Sequence, residues 1–260
     1  MDWEKELYFK DEHPLEHLTE GYSNTSIFRT MAVIGDSLAS GEFEVHHADS
    51  TTEVFDMFDY SWGQFLARKN GIKVYNFSRG GMSAKEYVTS FADKKDFWNK
   101  EKACHAYVIA LGVNDLHHSD IEIGSVQDID DNDCRNNKKT FCGYYAQIIA
   151  RYKEISPDAK FFFVTIPDDI RRDYDKQQKL CALLYSLAEH FSNSYVIDLY
   201  KYGPKYDEKF QRHFFLNGHL NPMGYILSAK LIDSYIDYIV RHNPADFLYT
   251  GLIPAHSPEQ

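Results

Sequence analysis

Three side chains with the chemistry of acyl transfer stand at the ends of apolar runs in this chain. Ser37 closes Val33-Ile34-Gly35-Asp36-Ser37-Leu38, Asn114 closes Ala110-Leu111-Gly112-Val113-Asn114-Asp115, and His219 lies in the Gly- and Asn-rich turn Leu216-Asn217-Gly218-His219-Leu220-Asn221-Pro222. A serine hydroxyl becomes a nucleophile when a general base takes its proton, and a histidine is the commonest such base. An Asn side-chain amide can donate to a developing oxyanion, as can a glycine amide. The run Asn76-Phe77-Ser78-Arg79-Gly80-Gly81-Met82-Ser83 supplies Gly81, with Gly80 as its alternative in the same turn. Each segment alone also has an ordinary reading as a helix cap or tight turn.

These residues have to be positioned by a common scaffold. Continuous apolar runs over Thr30–Ile34, Ile72–Phe77, Ala106–Leu111, Phe161–Ile166 and Tyr195–Leu199 read as strands covered on both faces. Helical spacing falls between them, over Tyr60–Lys69, Ala84–Phe91, Thr140–Ile155, Asp173–Phe191 and Pro222–Val240. Asn221 is the expected N-cap of the last helix and Pro222 its first residue. The alternation predicts an α/β fold: a three-layer α/β/α sandwich around a five-stranded parallel sheet of flavodoxin-like order 2-1-3-4-5. Strands 1 and 3 are neighbours in that order, so Ser37 and Asn114 are expected side by side at the switch point.

Together the motifs resemble the SGNH or GDSL-type hydrolases, a family of esterases and lipases. The matching residues are Gly35-Asp36-Ser37-Leu38, Gly81, Gly112-Val113-Asn114-Asp115 and His219, in that order over residues 30–240. The resemblance implies Ser37 as nucleophile and His219 as base. It also implies an oxyanion hole from the Ser37 and Gly81 amides and the Asn114 side chain. One member is missing, because the family's D-x-x-H motif places an Asp where this chain has Leu216. Leucine cannot accept a hydrogen bond from imidazole. The ring could instead be held by a backbone carbonyl in the 214–217 turn, by an acid from another loop (Asp168 or Asp169 first, Asp115 next), or by Asn217. The remaining alternative is a protein that kept the fold and lost the activity.

The chain has 260 residues with 28 basic and 39 acidic side chains, a net charge of −11. That balance disfavours nucleic acid and anionic membranes as partners. No secretory signal and no membrane-spanning run is visible, so the sequence reads as cytoplasmic. Cys104, Cys134, Cys142 and Cys181 lack metal-ligand spacing, and pairing of Cys134 with Cys142 is not expected in that compartment. His46-His47 and His117-His118 follow strands 1 and 3, where they could line the cleft or suggest a metal. Adjacent histidines do not readily share one ion, so neither a metal nor an organic cofactor is expected.

Residues 1–29 read as an N-terminal extension packed on the body, with scattered aromatics (Trp3, Tyr8, Phe9, Tyr22, Phe28) and room for a small β-element. Residues 30–242 form the α/β domain. The acidic stretch 116–136 reads as a solvated loop rather than a calcium loop, and 243–260 as a C-terminal tail carrying Phe247, Leu248, Tyr249, Leu252 and Ile253. Trp62, Phe43 and Phe55 are candidate pocket walls, with Gly80 and Asn217 nearby. The expected substrate is a small-molecule ester with a short acyl chain, such as an O-acetyl group on carbohydrate. Two alternatives stand beside it: a catalytically silent binding module for a carbohydrate or acylated ligand, and a nucleotide or phosphate binder. Glu42 and Glu44 after strand 1 speak against the second.

Overall fold

The structure is a computed structural model, and it describes residues 1–2, 8, 11–118 and 121–252. Nine strands are present among them: β1 Thr30–Gly35, β2 Glu42–His46, β3 Thr52–Asp56, β4 Lys73–Asn76, β5 Ala106–Ala110, β6 Lys160–Val164, β7 Ser194–Ile197, β8 Phe215–Leu216 and β9 His219–Leu220. Five of them form one parallel sheet in the order β4-β1-β5-β6-β7. This is the doubly wound order expected from the alternation of apolar runs and amphipathic stretches.

Burial on both faces explains the near-continuous apolar runs. Ala32, Ile34, Tyr107, Ile109, Phe161 and Phe163 point into one core cluster, shared with the helices Phe141–Ile155 and Tyr174–His190. Met31, Val33, Val74, Val108, Phe162 and Val164 alternate into the other, against Trp62–Asn70 and the last helix, Pro222–His242. Helix starts follow local chemistry. Ser61, Thr140, Asp173 and Asn221 each cap a helix by accepting a backbone N–H, and Pro222 occupies the first turn of the last one. The stretch 84–94 is helical with a central π turn, Tyr87–Phe91.

Three features depart from expectation. A hairpin of β2 and β3 follows the first strand, in a stretch for which no strand was expected. A short helix, Glu208–Phe214, and the β8–β9 hairpin precede the last helix. The described residues before β1 contain a 3₁₀ turn, Asn24–Ile27, and no strand, so the extra β-element lies at 42–56 instead. Trp3, Phe9 and Ile253 fall outside the described residues. Of the tail, Phe247 is buried, edge-on to Phe28 and stacked on Tyr195, whereas Leu248, Tyr249 and Leu252 are exposed.

The segment before β1 is fixed by a polar hub. The fully buried Asp233 carboxylate accepts hydrogen bonds from Ser23 Oγ at 2.6 Å, Asn70 Nδ2 at 2.7 Å, Thr19 Oγ1 at 2.9 Å and Lys69 Nζ at 2.7 Å. Nearby, Arg241 forks onto Glu12 with two 2.8 Å bonds. A buried charge is tolerated when its lone pairs are met, and removing one partner strands the others. Asp233→Ala is therefore expected to lower stability by about 3–5 kcal/mol in urea unfolding. Arg212→Ala, which breaks an exposed pair with Glu208, should stay within about 0.5 kcal/mol.

Candidate active site

The turns after β1 and β5 bring the first motifs together, because Gly35 pairs with Ala110 in register. Asp36 caps the short helix Ser37–Ser40 through the Leu38 N–H. Ser37 is the first residue of that helix, and among the described residues neither its amide nor its hydroxyl hydrogen makes a hydrogen bond. Gly112 has a φ of +131°, and a Cβ there would strike Leu180, so a glycine is required for the chain to turn toward Asn114. Ser37, Asn114 and His219 line one cleft of about 210 Å³, together with Asp169, Arg171 and Arg172. Asn114 Nδ2 donates to Met82 O at 3.0 Å, tying the cleft to the Gly80–Gly81 turn. Gly81 has a φ of +70°, with open space where a side chain would sit, and its amide makes no hydrogen bond among the described residues.

His219 sits between two carboxylates. Its Nδ1 donates to Glu44 Oε2 at 3.1 Å, and its Nε2 lies 3.0 Å from Glu42 Oε1, an ion-pair contact. The acid on Nδ1 is thus Glu44, from the β2–β3 hairpin. None of the sequence candidates takes that position, and each has another engagement. Asp168 pairs with Lys205 at 3.0 Å. Asp169 is forked by Arg171. Asp115 is buried and accepts the Ala84 N–H. Asn217 donates to the Glu44 carbonyl at 2.8 Å, so it holds the strand that carries the acid rather than the ring. The ring nitrogens face glutamates, not a carbonyl of the 214–217 turn.

Strand geometry explains why the two glutamates act together. Successive side chains of a strand alternate in direction, so Glu42, Glu44 and His46 share one face of β2 while Phe43 faces the other way. Phe43 packs edge-on against Tyr225 at 5.3 Å, and the Tyr225 hydroxyl donates to the Glu42 carbonyl at 2.7 Å. The last helix, which carries Tyr225, therefore anchors the hairpin over the serine turn. His46 lies 2.6 Å from the free oxygen of Glu44. Gly80 completes the arrangement, since a Cβ there would collide with Glu42 Oε2.

Electrostatics separates the two acids. The hydrogen bond from His46 leads the causes that hold the Glu44 carboxyl below the usual range, with His219 adding to it. Burial raises Glu42, against the pull of His219. Asp36 is pushed up to about 6 by burial, opposed by the Leu38 N–H and by the charges of His219 and Arg172. Burial likewise raises Asp115 to about 6.

Other expected wall residues lie elsewhere. Trp62 is buried in a separate apolar cavity behind Asp36 and Leu38, and Phe43 is core. Phe55 is exposed, and Gly80 does not line the cleft. His47 faces Glu53 at the surface, and the side chains of His117 and His118 lie outside the described residues. Among the described residues no group of three or more His, Cys, Asp or Glu is arranged to hold a metal, and all four cysteines are free. The acidic stretch spends its carboxylates locally: Asp128 on Lys138 and Thr140, Asp130 on backbone amides, Asp131 on His190 and Asp133 on Arg135. No helix among the described residues is long and apolar enough to cross a membrane.

Comparison with known proteins supplies a family and a fold. The model of the GDSL-like Lipase/Acylhydrolase family matches residues 33–227. The chain belongs to that family. No curated protein matches it in sequence. Among solved structures it resembles an acetyl xylan esterase, AlAXEase, at 16% identity and a TM-score of 0.52, over 80% of this chain and 99% of the other. A family two carbohydrate esterase from Clostridium thermocellum, solved in complex with cellohexaose, aligns at 13% identity and a TM-score of 0.57, over 92% and 67%. A carbohydrate esterase family 2 enzyme from Corynascus thermopiles aligns at 15% identity and a TM-score of 0.56, over 86% and 69%. These likenesses concern the fold.

The buried Asp36 has a measurable consequence for this GDSL-family chain. A carboxyl whose folded pKa stands above its unfolded value of 3.8 favours the folded state when protonated, and that contribution is lost as pH rises from about 4 through 6. Asp36→Asn keeps an acceptor for the Leu38 N–H and does not titrate. Relative to this variant, the parent protein should lose up to about 3 kcal/mol between pH 4 and 7 in urea titrations.

Proposed function

We propose that the protein is a serine esterase acting on short-chain acyl esters, with O-acetyl groups on carbohydrate as the first substrates to test. The observation that carries this reading is the convergence of Ser37, Asn114 and His219 on one cleft, with His219 Nδ1 held by Glu44. The acetyl xylan and family two carbohydrate esterases that share its fold suggest the substrate class.

In the proposed reaction an entering ester displaces the Glu42 carboxyl, which takes with it the proton it shares with His219 Nε2 and leaves that nitrogen an unprotonated base. Ser37 Oγ then attacks the ester carbonyl carbon while Nε2 takes its proton. The tetrahedral oxyanion is met by the Ser37 amide, the Gly81 amide and the Asn114 side chain. Collapse expels the alcohol, which receives the proton from His219. Water, deprotonated by the same nitrogen, releases the acid and restores Ser37. Glu44 supplies what position 216 lacks: it fixes the ring with Nδ1–H outward and stabilises the imidazolium that forms. It acts through His219 and is a positioning residue.

One observation favours a second reading. Glu42 on Nε2 occupies the contact that a general base needs, as it would in a silent binding module. A fluorophosphonate probe with peptide mapping separates the two readings. A single adduct on Ser37 that His219→Ala abolishes supports the esterase, and an unlabelled folded protein overturns it. The two glutamates should then differ in 4-nitrophenyl acetate hydrolysis. Glu44→Gln is expected to lower kcat by roughly 10²–10⁴-fold, in line with loss of a triad acid. Glu42→Gln should cost less than about tenfold, because it removes only a competitor for Nε2. Equal losses in both variants would remove Glu44 from its role. Asn114→Ala should lower kcat by about 10²–10³-fold with little change in KM.

A further inference from the structure

The cleft that His219 lines also presents a positive charge that nothing in the proposed reaction uses. Arg171 and Arg172 follow β6 and its loop, and both line the cavity with Ser37. Their charges are not equivalent. Arg171 grips Asp169 as a fork, with Nη2 at 2.6 Å from Oδ2 and Nε at 2.9 Å from Oδ1, and its guanidinium lies 4.6 Å over the Phe215 ring. Asp169 Oδ1 also accepts the Arg171 amide, so its lone pairs facing this loop are taken. Arg172 is left 3.7 Å from Asp169 Oδ2, beyond hydrogen-bond reach. Its Nε is buried with no hydrogen-bond partner.

Nε is closed off from solvent within ion-pair distance of Asp169, so the donors that Arg172 can offer to a molecule in the cleft are its two terminal nitrogens. Arg172 is held where it stands by its own amide, which donates to the Asp169 carbonyl at 3.0 Å, and by the Asp169–Tyr206 bridge that ties the loop to the next segment. Its charge reaches the serine turn, since it is among the groups that act on Asp36. The charged groups lining the cleft are Asp36, Asp169, Arg171, Arg172 and His219, with Glu42 and Glu44 on the two ring nitrogens of His219. Arg171 neutralises Asp169, His219 answers the two glutamates with at most one charge, and Asp36 feels the charge of Arg172, but no terminal nitrogen of Arg172 makes a hydrogen bond among the described residues. Arg172 therefore remains as the cationic donor offered to a bound molecule.

Resting on the esterase reading above, we propose that Arg172 forms an anion subsite and that the preferred substrate is an ester carrying a carboxylate beside its scissile group. The planar guanidinium fork matches a carboxylate in geometry and charge, which a lysine point charge would not reproduce. In a chain of net charge −11, a cation at the cleft favours an anionic ester over a neutral one by local contact rather than by bulk attraction.

The test compares 4-nitrophenyl acetate with two charged esters, mono-4-nitrophenyl succinate (carboxylate on the acyl side) and 4-acetoxybenzoate (carboxylate on the alcohol side). At low salt one charged ester should show a KM at least tenfold below that of the neutral ester, and which one it is assigns the side. Arg172→Gln should cut the charged-to-neutral ratio of kcat/KM at least tenfold, and Arg172→Lys should restore part of it. Turnover of the neutral ester with no charged preference, or a preference that survives in Arg172→Gln, overturns the subsite and leaves the esterase standing. Failure to turn over any ester, with Ser37 unlabelled by fluorophosphonate, overturns the esterase reading and the subsite with it.

Discussion

An imidazole set between two carboxylates ties this molecule together at its functional end. His219 opens β9 of the β8–β9 hairpin, Glu42 and Glu44 belong to a hairpin far earlier in the chain (Glu44 is 175 residues away), and Ser37 to the short helix between that hairpin and the sheet. Holding the ring therefore requires three segments to be in place at once. The last helix makes this so: Tyr225 bonds the start of β2 and packs on Phe43, while Asn221 caps the helix just after the histidine. The residues that support the site, Phe43 and Tyr225, belong to the core.

The sheet was legible because its physics is one-dimensional. Strands covered on both faces must be apolar throughout, and runs such as Phe161–Ile166 carry that signal without reference to anything distant. Right-handed crossovers then leave little freedom in their order. The edges of the elements shifted by a residue or two, as for β4, which begins at Lys73 after Ile72. The convergence of Ser37 and Asn114 followed from the strand order alone, since both leave the carboxyl ends of neighbouring strands.

The acid on His219 was not legible, and the reason is instructive. A D-x-x-H acid is local, so its absence at Leu216 is visible, but its replacement comes from a contact of sequence separation 175. A signal did exist: Glu42-Phe43-Glu44-Val45-His46 alternates polar and apolar with period two, the mark of a strand with one face buried. Reading those glutamates by charge, as groups that repel phosphate, hid their periodicity. Asp168, Asp169 and Asp115 failed as candidates for the opposite reason. They stand near the correct rim, but each meets a stronger local partner first.

The same competition among partners decides what the remaining groups are free to do. A carboxylate with a forked arginine, as in Asp169, is spent, and so is a histidine nitrogen on Glu44. Glu42 differs, because its contact with Nε2 is held by charge, while burial works against its ionised form. A neutral ester gains nothing from Glu42 and must displace it through contacts elsewhere in the cleft. An ester bearing its own carboxylate would have such a contact available in Arg172, which lines the same cleft. On the proposed reading these two features would belong to one selection: Glu42 would shield His219, and Arg172 would help a carboxylate-bearing ester displace it.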